Sequence, residues 1–202
     1  MAAPQAQRRP SSRLGSRARR CVALLLVLAE LLVPGRLSAA TLVGVTFADR
    51  IEVAGQALVL NGLALRSATI FDVKVYIAAL YLESPSSDAN QILRSTARKR
   101  LVLEFLRAAG RAKIAEALRQ GVRRNVRDSR ALEGRLAQLS AAIPDLKKGN
   151  RVIFDIANGS VTVTLGRVKT VIAGDDFGRA LLAVWLGSKP PQAAMKAHLL
   201  GK

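Results

Sequence analysis

The sequence predicts an α+β domain in which a largely antiparallel sheet carries a layer of helices. Three observations predict it. Strand-like stretches are separated by tight Asn-Gly turns; the apolar period switches to that of a helix over residues 114–143 and again after Asp175; and the order runs strands, two helices, a β-meander, then helices. Half of the 202 residues are hydrophobic, enough for one good-sized core, so a single domain is expected.

The first forty residues are of a different material. They hold seven arginines, no lysine and one acid, Glu30, around the apolar run Cys21 to Val33. Pro34 follows, and Ser38 and Ala40 are small residues at the −3 and −1 places of a cleavage site. This is the layout of a secretory signal peptide, residues 1–40, cleaved after Ala40 to leave a domain over 41–202 that is periplasmic or secreted. A membrane anchor needs ~20 apolar residues, and this run is shorter, so no stable membrane insertion is expected after cleavage. Cys21 leaves with the leader. Residues 41–202 then contain no cysteine, which excludes disulfides, thiol catalysis and cysteine-bound zinc.

Past Thr41, Thr41 to Phe47 and Ile51 to Leu60 read as opening strands, with Asn61-Gly62 as a turn that sends the chain back through Leu63 to Arg66. From Ile70 to Leu82 a strand presents two faces. One holds Phe71, Val73, Val75, Ile77, Ala79 and Tyr81 and is a core face; the other holds Asp72, Lys74, Tyr76, Ala78, Leu80 and Leu82, charged at its start and apolar at its end. Asp88 starts a short helix, Ala89 to Thr96, and Arg100 to Leu106 is the next strand. Ile114, Ala117, Leu118, Gly121, Val122 and Asn125 then form one stripe of a helix. Asn125 ends that stripe with an amide, which either faces a polar site or terminates the helix. Asp128 and Ser129 open a second helix along Leu132, Leu136, Leu139 and Ile143, stopped by Pro144. Arg151 to Ala157 and Ser160 to Leu165 form a hairpin about Asn158-Gly159, and Val168 to Ala173 completes the meander. Asp175 and Asp176 open a helix with Phe177, Ala180, Leu181, Val184 and Trp185 on one side, and Pro190-Pro191 separate it from a last helix ending near Leu200.

Catalytic patterns are sparse: no metal-ligand cluster, nucleophile elbow, phosphate loop or paired-carboxylate spacing appears, and His198 reads as a surface residue. No metal or cofactor is expected. Residues 41–202 carry 25 basic and 13 acidic residues, a net charge of +12. Arg119, Arg123, Arg124, Arg127 and Arg130 fall on helical spacing and read as a solvated face. Nucleic-acid grooves want aromatic stacking platforms, and the few aromatics here lie in apolar patterns, so no nucleic-acid partner is expected.

The stretch LNGLALRSATIFDVKVYIAALYLE, the following RLVLEFLR, the helix pair and the closing DDFGRALLAVWLGSKPP together resemble the chalcone isomerase-like superfamily over about Gly44 to Leu200. VKVYIAALYLE is the most specific part and is similar to the non-catalytic branch, which includes fatty-acid-binding proteins and secreted bacterial members. The resemblance implies an open-faced β-sandwich, a large antiparallel sheet under a layer of helices, with ligand held between the two. It places the arginine that meets the ligand's anionic end at Arg66 and the tyrosine of the fatty-acid binders at Tyr76. The asparagine of the isomerase site falls at Asn125, its partner tyrosine near Leu118 and a late hydroxyl residue near Val184, both apolar here. An arginine fork and a phenol suit a carboxylate, and Leu80, Leu82, Leu118 and Val184 suit an alkyl chain. Three functions stay open: an exported, non-enzymatic binder of a fatty acid or similar amphipathic acid; an isomerase or intramolecular lyase on another substrate; and a structural or partner-binding protein with an unused pocket.

Overall fold

A computed structural model describes residues 38–68 and 72–202. The expected leader therefore lies almost wholly outside the described residues, as do Ile70 and Phe71 of the expected strand.

The described chain is a seven-stranded antiparallel sheet, a small hairpin and five helices. The hairpin comes first: β1 (Ala39–Leu42) pairs with β2 (Val45–Ala48) around Val43-Gly44, both at positive φ. The large sheet follows as β3 (Arg50–Val53), β4 (Gln56–Ala68), β5 (Val73–Leu82), β6 (Lys99–Phe105), β7 (Arg151–Ala157), β8 (Ser160–Leu165) and β9 (Val168–Ala173), each strand antiparallel to its neighbours and in sequence order across the sheet. The helices are α1 (Ala89–Arg94), α2 (Arg111–Asn125), α3 (Glu133–Ala142), entered through a 3-10 turn at Ser129–Leu132, then α4 (Asp175–Leu186) and α5 (Ala193–Leu199). Asp88 caps α1, its carboxylate accepting from the backbone of Asn90 at 2.8 Å and Gln91 at 3.2 Å. The Asn158-Gly159 hairpin forms as predicted, both residues at positive φ. Among the described residues no helix is long and apolar enough to cross a membrane.

The opening of the domain differs from the sequence expectation. Thr41 to Phe47 is not one strand but a hairpin, and Ile51 to Leu60 is broken at Ala54-Gly55, which makes the turn between β3 and β4. Asn61-Gly62 is no turn. It lies inside the thirteen-residue β4, where the register with β5 shifts between Leu60 and Gly62. The reason is long-range. The Asn61 amide donates to the carbonyls of Leu199 at 2.7 Å and Ser86 at 3.1 Å and accepts from the Ser86 N–H at 2.8 Å, tying α5 and the loop after β5 to the strand. Gly62 permits this approach, since a Cβ there would stand 2.0 Å from the carbonyl oxygen of His198. The pair thus serves a bulge and a backbone contact, the other use of glycine in a strand.

Both faces of β5 are buried, in two separate cores. Ala78, Leu80 and Leu82 belong to the larger core beneath the helices, with Leu101, Leu103 and Phe105 of β6, Val152 and Phe154 of β7, and Leu118, Val122, Leu181, Val184 and Trp185 above. Ile77, Ala79 and Tyr81 belong to a smaller core with Leu58, Val53 and Phe47, the last brought by the hairpin. The hairpin covers only part of that second face. Val168 and Val171 of β9 are 66% and 65% exposed, so the sheet stays open at its far edge. One helix is more buried than its sequence suggests: nine of the twelve residues of α4 are buried, on all sides, because α4 lies between the sheet and α2. Gly121 sets that close spacing, since a Cβ on it would come within 2.6 Å of a Val184 methyl.

Candidate functional site

Arg66 and Tyr76 are direct cross-strand partners in the pairing of β4 with β5. They share the helix-facing side of the sheet, in line with Ala64 and Ala78, and a second register shift follows between Arg66 and Ser67. The pairing arises because the strands run antiparallel through the connection at 69–72, so residues ten apart in sequence meet side by side.

The Tyr76 ring packs partly buried against the larger core, tilted on Phe105 with ring centroids 5.5 Å apart. Its hydroxyl accepts a hydrogen bond from the Trp185 indole N–H at 3.0 Å. Burial pushes the Tyr76 phenol up to about 12, against the opposing pulls of the Trp185 hydrogen bond and the Arg66 charge. At neutral pH the phenol is therefore protonated, and its own O–H points to no acceptor among the described residues. Arg66 donates to the carbonyl of Ser67, which engages one of its five N–H groups. The backbone N–H of Ser67 donates to the Gln192 side chain at 3.3 Å, so the start of α5 closes this end of the layer. A guanidinium and a phenol side by side at the edge of an apolar layer are groups that can hold a carboxylate by charge-assisted hydrogen bonds.

The other expected site residues lie elsewhere in the same layer. Leu118 of α2 and Val184 of α4 are 6% and 4% exposed and both sit in the larger core. Neither carries a hydroxyl, and Val184 packs against Gly121 in the seam between the two helices. Asn125 is the last residue of α2, as a terminator would be. Its amide donates to the carbonyls of Gly121 at 2.9 Å and Lys189 at 3.1 Å and accepts from the Lys189 N–H at 2.8 Å. It therefore clamps the segment after α4 to the end of α2, with both ends of the amide engaged. Trp185 is the residue that sequence reasoning passed over. Its position on the apolar side of α4 marked it as core, but nothing local says that its indole N–H reaches the phenol 109 residues earlier.

The chalcone isomerase-like family model matches residues 39–201. The chain belongs to the chalcone isomerase-like family. The match takes in the hairpin, the whole sheet and all five helices. Among solved structures, a fatty-acid binding protein of Arabidopsis thaliana superposes with a TM-score of 0.64 at 11% identity, covering 82% of this chain and 100% of that one. At that identity the likeness establishes the family fold. No curated protein sequence matches the chain.

Proposed function

We propose that this family member is an exported, non-enzymatic binder of a fatty acid or similar amphipathic carboxylate. The observation that carries the proposal is the direct pairing of Arg66 with Tyr76 on the helix-facing side of the sheet, both with donors unengaged among the described residues, at the edge of an apolar layer. In this reading the carboxylate sits against the guanidinium and the phenol, and the alkyl chain runs inward along Ala78, Leu80, Leu118 and Val184. Those side chains pack closely, so the chain enters by parting the helices from the sheet. Export rests on the basic and apolar leader ending in Ser38 and Ala40. The fatty-acid binding protein of similar fold is consistent with the ligand class.

A charge-assisted hydrogen bond contributes about 1.5–3 kcal/mol, so Arg66→Ala is expected to weaken acid binding roughly ten- to a hundred-fold. Tyr76→Phe is expected to weaken it less, since it removes one neutral donor. Titration of wild type and both variants with a fluorescent fatty acid and its uncharged alcohol analogue tests this. Equal affinity for acid and alcohol, or unchanged acid binding by Arg66→Ala, refutes the anchor. Mass spectrometry of lipids extracted from purified native protein identifies what it carries.

A further inference from the structure

Lys99 opens β6 on the same helix-facing side of the sheet as Tyr76 but at the opposite end, where its cross-strand partners are Leu82 and Ile156. Phe105, the partner of Tyr76, is six residues further along β6, about 20 Å away. Lys99 is 4% exposed, one of only two buried polar or charged residues among those described. Its ammonium donates to the carbonyls of Ser95 at 2.5 Å and Ala97 at 2.8 Å, the chain leaving α1. An ammonium has three donors, so one finds no acceptor among the described residues. Among the described residues no carboxylate lies within ion-pair distance of it. Glu83 is the carboxylate whose charge acts on it, and burial still pulls the ammonium below its ordinary range, so the cation is only partly compensated.

Two clefts meet at this lysine. The larger, about 180 Å³, also contains Glu83, which disfavours an anion there. The other, about 130 Å³, lies between the end of α1, the Asn158-Gly159 turn and the start of α4. It gathers Lys99, Arg94 and Arg179 against a single acid, Asp175. Neither Arg94 nor Arg179 forms an ion pair or a side-chain hydrogen bond among the described residues, so both guanidinium groups remain available. Ser95 and Ser160 line the same space, the Ser95 hydroxyl accepting from the Ala97 N–H at 3.0 Å and the Ser160 hydroxyl donating to the Ala157 carbonyl at 3.2 Å.

We infer that this cleft is a binding site for a doubly charged oxyanion of the phosphate class, with Lys99 at its floor and Arg94 and Arg179 at its rim. Three cations line the cleft against one acid, Asp175, with Glu83 acting on Lys99 from the adjoining cleft, so the site keeps a net positive charge that suits a phosphomonoester. The bonds from Lys99 to Ser95 and Ala97 also satisfy carbonyls beyond the end of α1. That structural role needs a donor but no charge, which separates the two roles experimentally. The inference does not rest on ligand binding at Arg66.

Inorganic phosphate titrated into the full chain, followed by backbone amide shifts, is expected to move residues 94–99, 158–160 and 174–179. Lys99→Gln keeps an amide donor for the carbonyls and is expected to weaken phosphate binding at least tenfold. The double variant Arg94→Gln, Arg179→Gln changes only exposed side chains and is expected to do the same, which decides the matter if Lys99→Gln fails to fold. Arg66→Ala is expected to leave phosphate binding unchanged. Vesicles of phosphatidylcholine with and without phosphatidic acid form the second arm. Binding to the acidic vesicles alone, lost in the double variant, assigns the site to a lipid headgroup; binding of free phosphate without vesicle binding assigns it to a soluble phosphate. Absence of binding to both sources, shifts confined to other residues, or equal binding by the double variant overturns the inference.

Discussion

The chain contains two tyrosines, Tyr76 and Tyr81, and the fold raises the pKa of both. Burial is the leading cause in each case, and for Tyr76 it carries the phenol from 10.0 to about 12. A group whose folded pKa lies above its unfolded value contributes stability that is fully present below the unfolded pKa and is lost as pH rises through the folded pKa. For Tyr76 that window runs from pH 10 to pH 12. One pKa unit corresponds to about 1.4 kcal/mol, so stability is expected to fall by about 2–3 kcal/mol across the window from Tyr76 alone. For a domain of this size, that lowers the melting temperature by roughly 5–10 °C. The assay is an alkaline titration of tyrosinate absorbance on folded protein, with circular dichroism read in parallel. Less tyrosinate is expected at pH 10 than two free phenols would give while the fold persists, with Tyr76 ionisation coupled to unfolding at higher pH. Tyr76→Phe removes this part of the alkaline loss, and it lowers stability at neutral pH by about 1–3 kcal/mol because the Trp185 N–H is left buried without an acceptor. If either tyrosine titrates freely near pH 10 in a fully folded chain, the burial argument fails. If Tyr76→Phe leaves both the neutral stability and the alkaline slope unchanged, the Tyr76–Trp185 bond has no energetic role.

Gly62→Ala drives a Cβ into the backbone of His198 and is expected to destabilise by about 1–3 kcal/mol or more, measured by denaturant unfolding; an unchanged midpoint would mean α5 moves off β4 without cost. Asn125→Ala removes the clamp on Lys189 and is expected to cost about 1–3 kcal/mol, with amide exchange rising first over residues 187–189; protection that stays at the wild-type level refutes the clamp. The proposed cleavage after Ala40 would remove two of the four rungs of the β1–β2 hairpin, the pairs Ala39 with Ala48 and Ala40 with Phe47. Protein recovered after export is expected to begin at or within a few residues of Thr41 and still to fold, since the seven-stranded sheet begins at Arg50; N-terminal sequencing checks it, and a folded product retaining Met1 rejects it.

The parts of the fold legible in the sequence are those set by local pattern. Period-two alternation marked β5 and β6, the stripe from Ile114 to Asn125 marked α2, and Asp88 and Asn158-Gly159 marked a cap and the β7–β8 hairpin, because each depends on residues a few positions apart. Asn61-Gly62 has the same local chemistry as Asn158-Gly159 and a different outcome. At Asn158 no side-chain hydrogen bond among the described residues draws the amide away from the turn, although the Gly174 N–H donates to the Gly159 carbonyl at 2.7 Å. At Asn61 the side chain is claimed by Ser86 and Leu199, 25 and 138 residues away, and the gain from three hydrogen bonds and a close helix contact overrides the turn preference. Local propensity decides where nothing distant competes for the residue.

The candidate site divides along the same line. The pairing of Arg66 with Tyr76 follows from two strands joined by a short connection, so it was within reach of sequence reasoning. Trp185 was not, because its role depends on where α4 crosses the sheet. Lys99 was hidden for a further reason. In the run Arg98-Lys99-Arg100 three cations stand together and all look solvated. The strand period separates them: Arg100 turns to the partly open face and meets Asp155 at 2.6 Å, while Lys99 turns inward beneath α1. A charge run that enters a strand therefore cannot lie wholly on one surface, and the residue forced inward is the one whose charge the fold must answer. In this domain the same geometry leaves a cation at each end of the helix-covered layer, Arg66 beside a phenol and Lys99 beside two guanidinium groups. The two ends differ in kind. The proposed ligands differ accordingly, an acid with an alkyl chain for Arg66 and a compact phosphate-class anion for the cleft at Lys99, so loss of acid binding in Arg66→Ala and loss of phosphate binding in the Arg94, Arg179 double variant should occur independently.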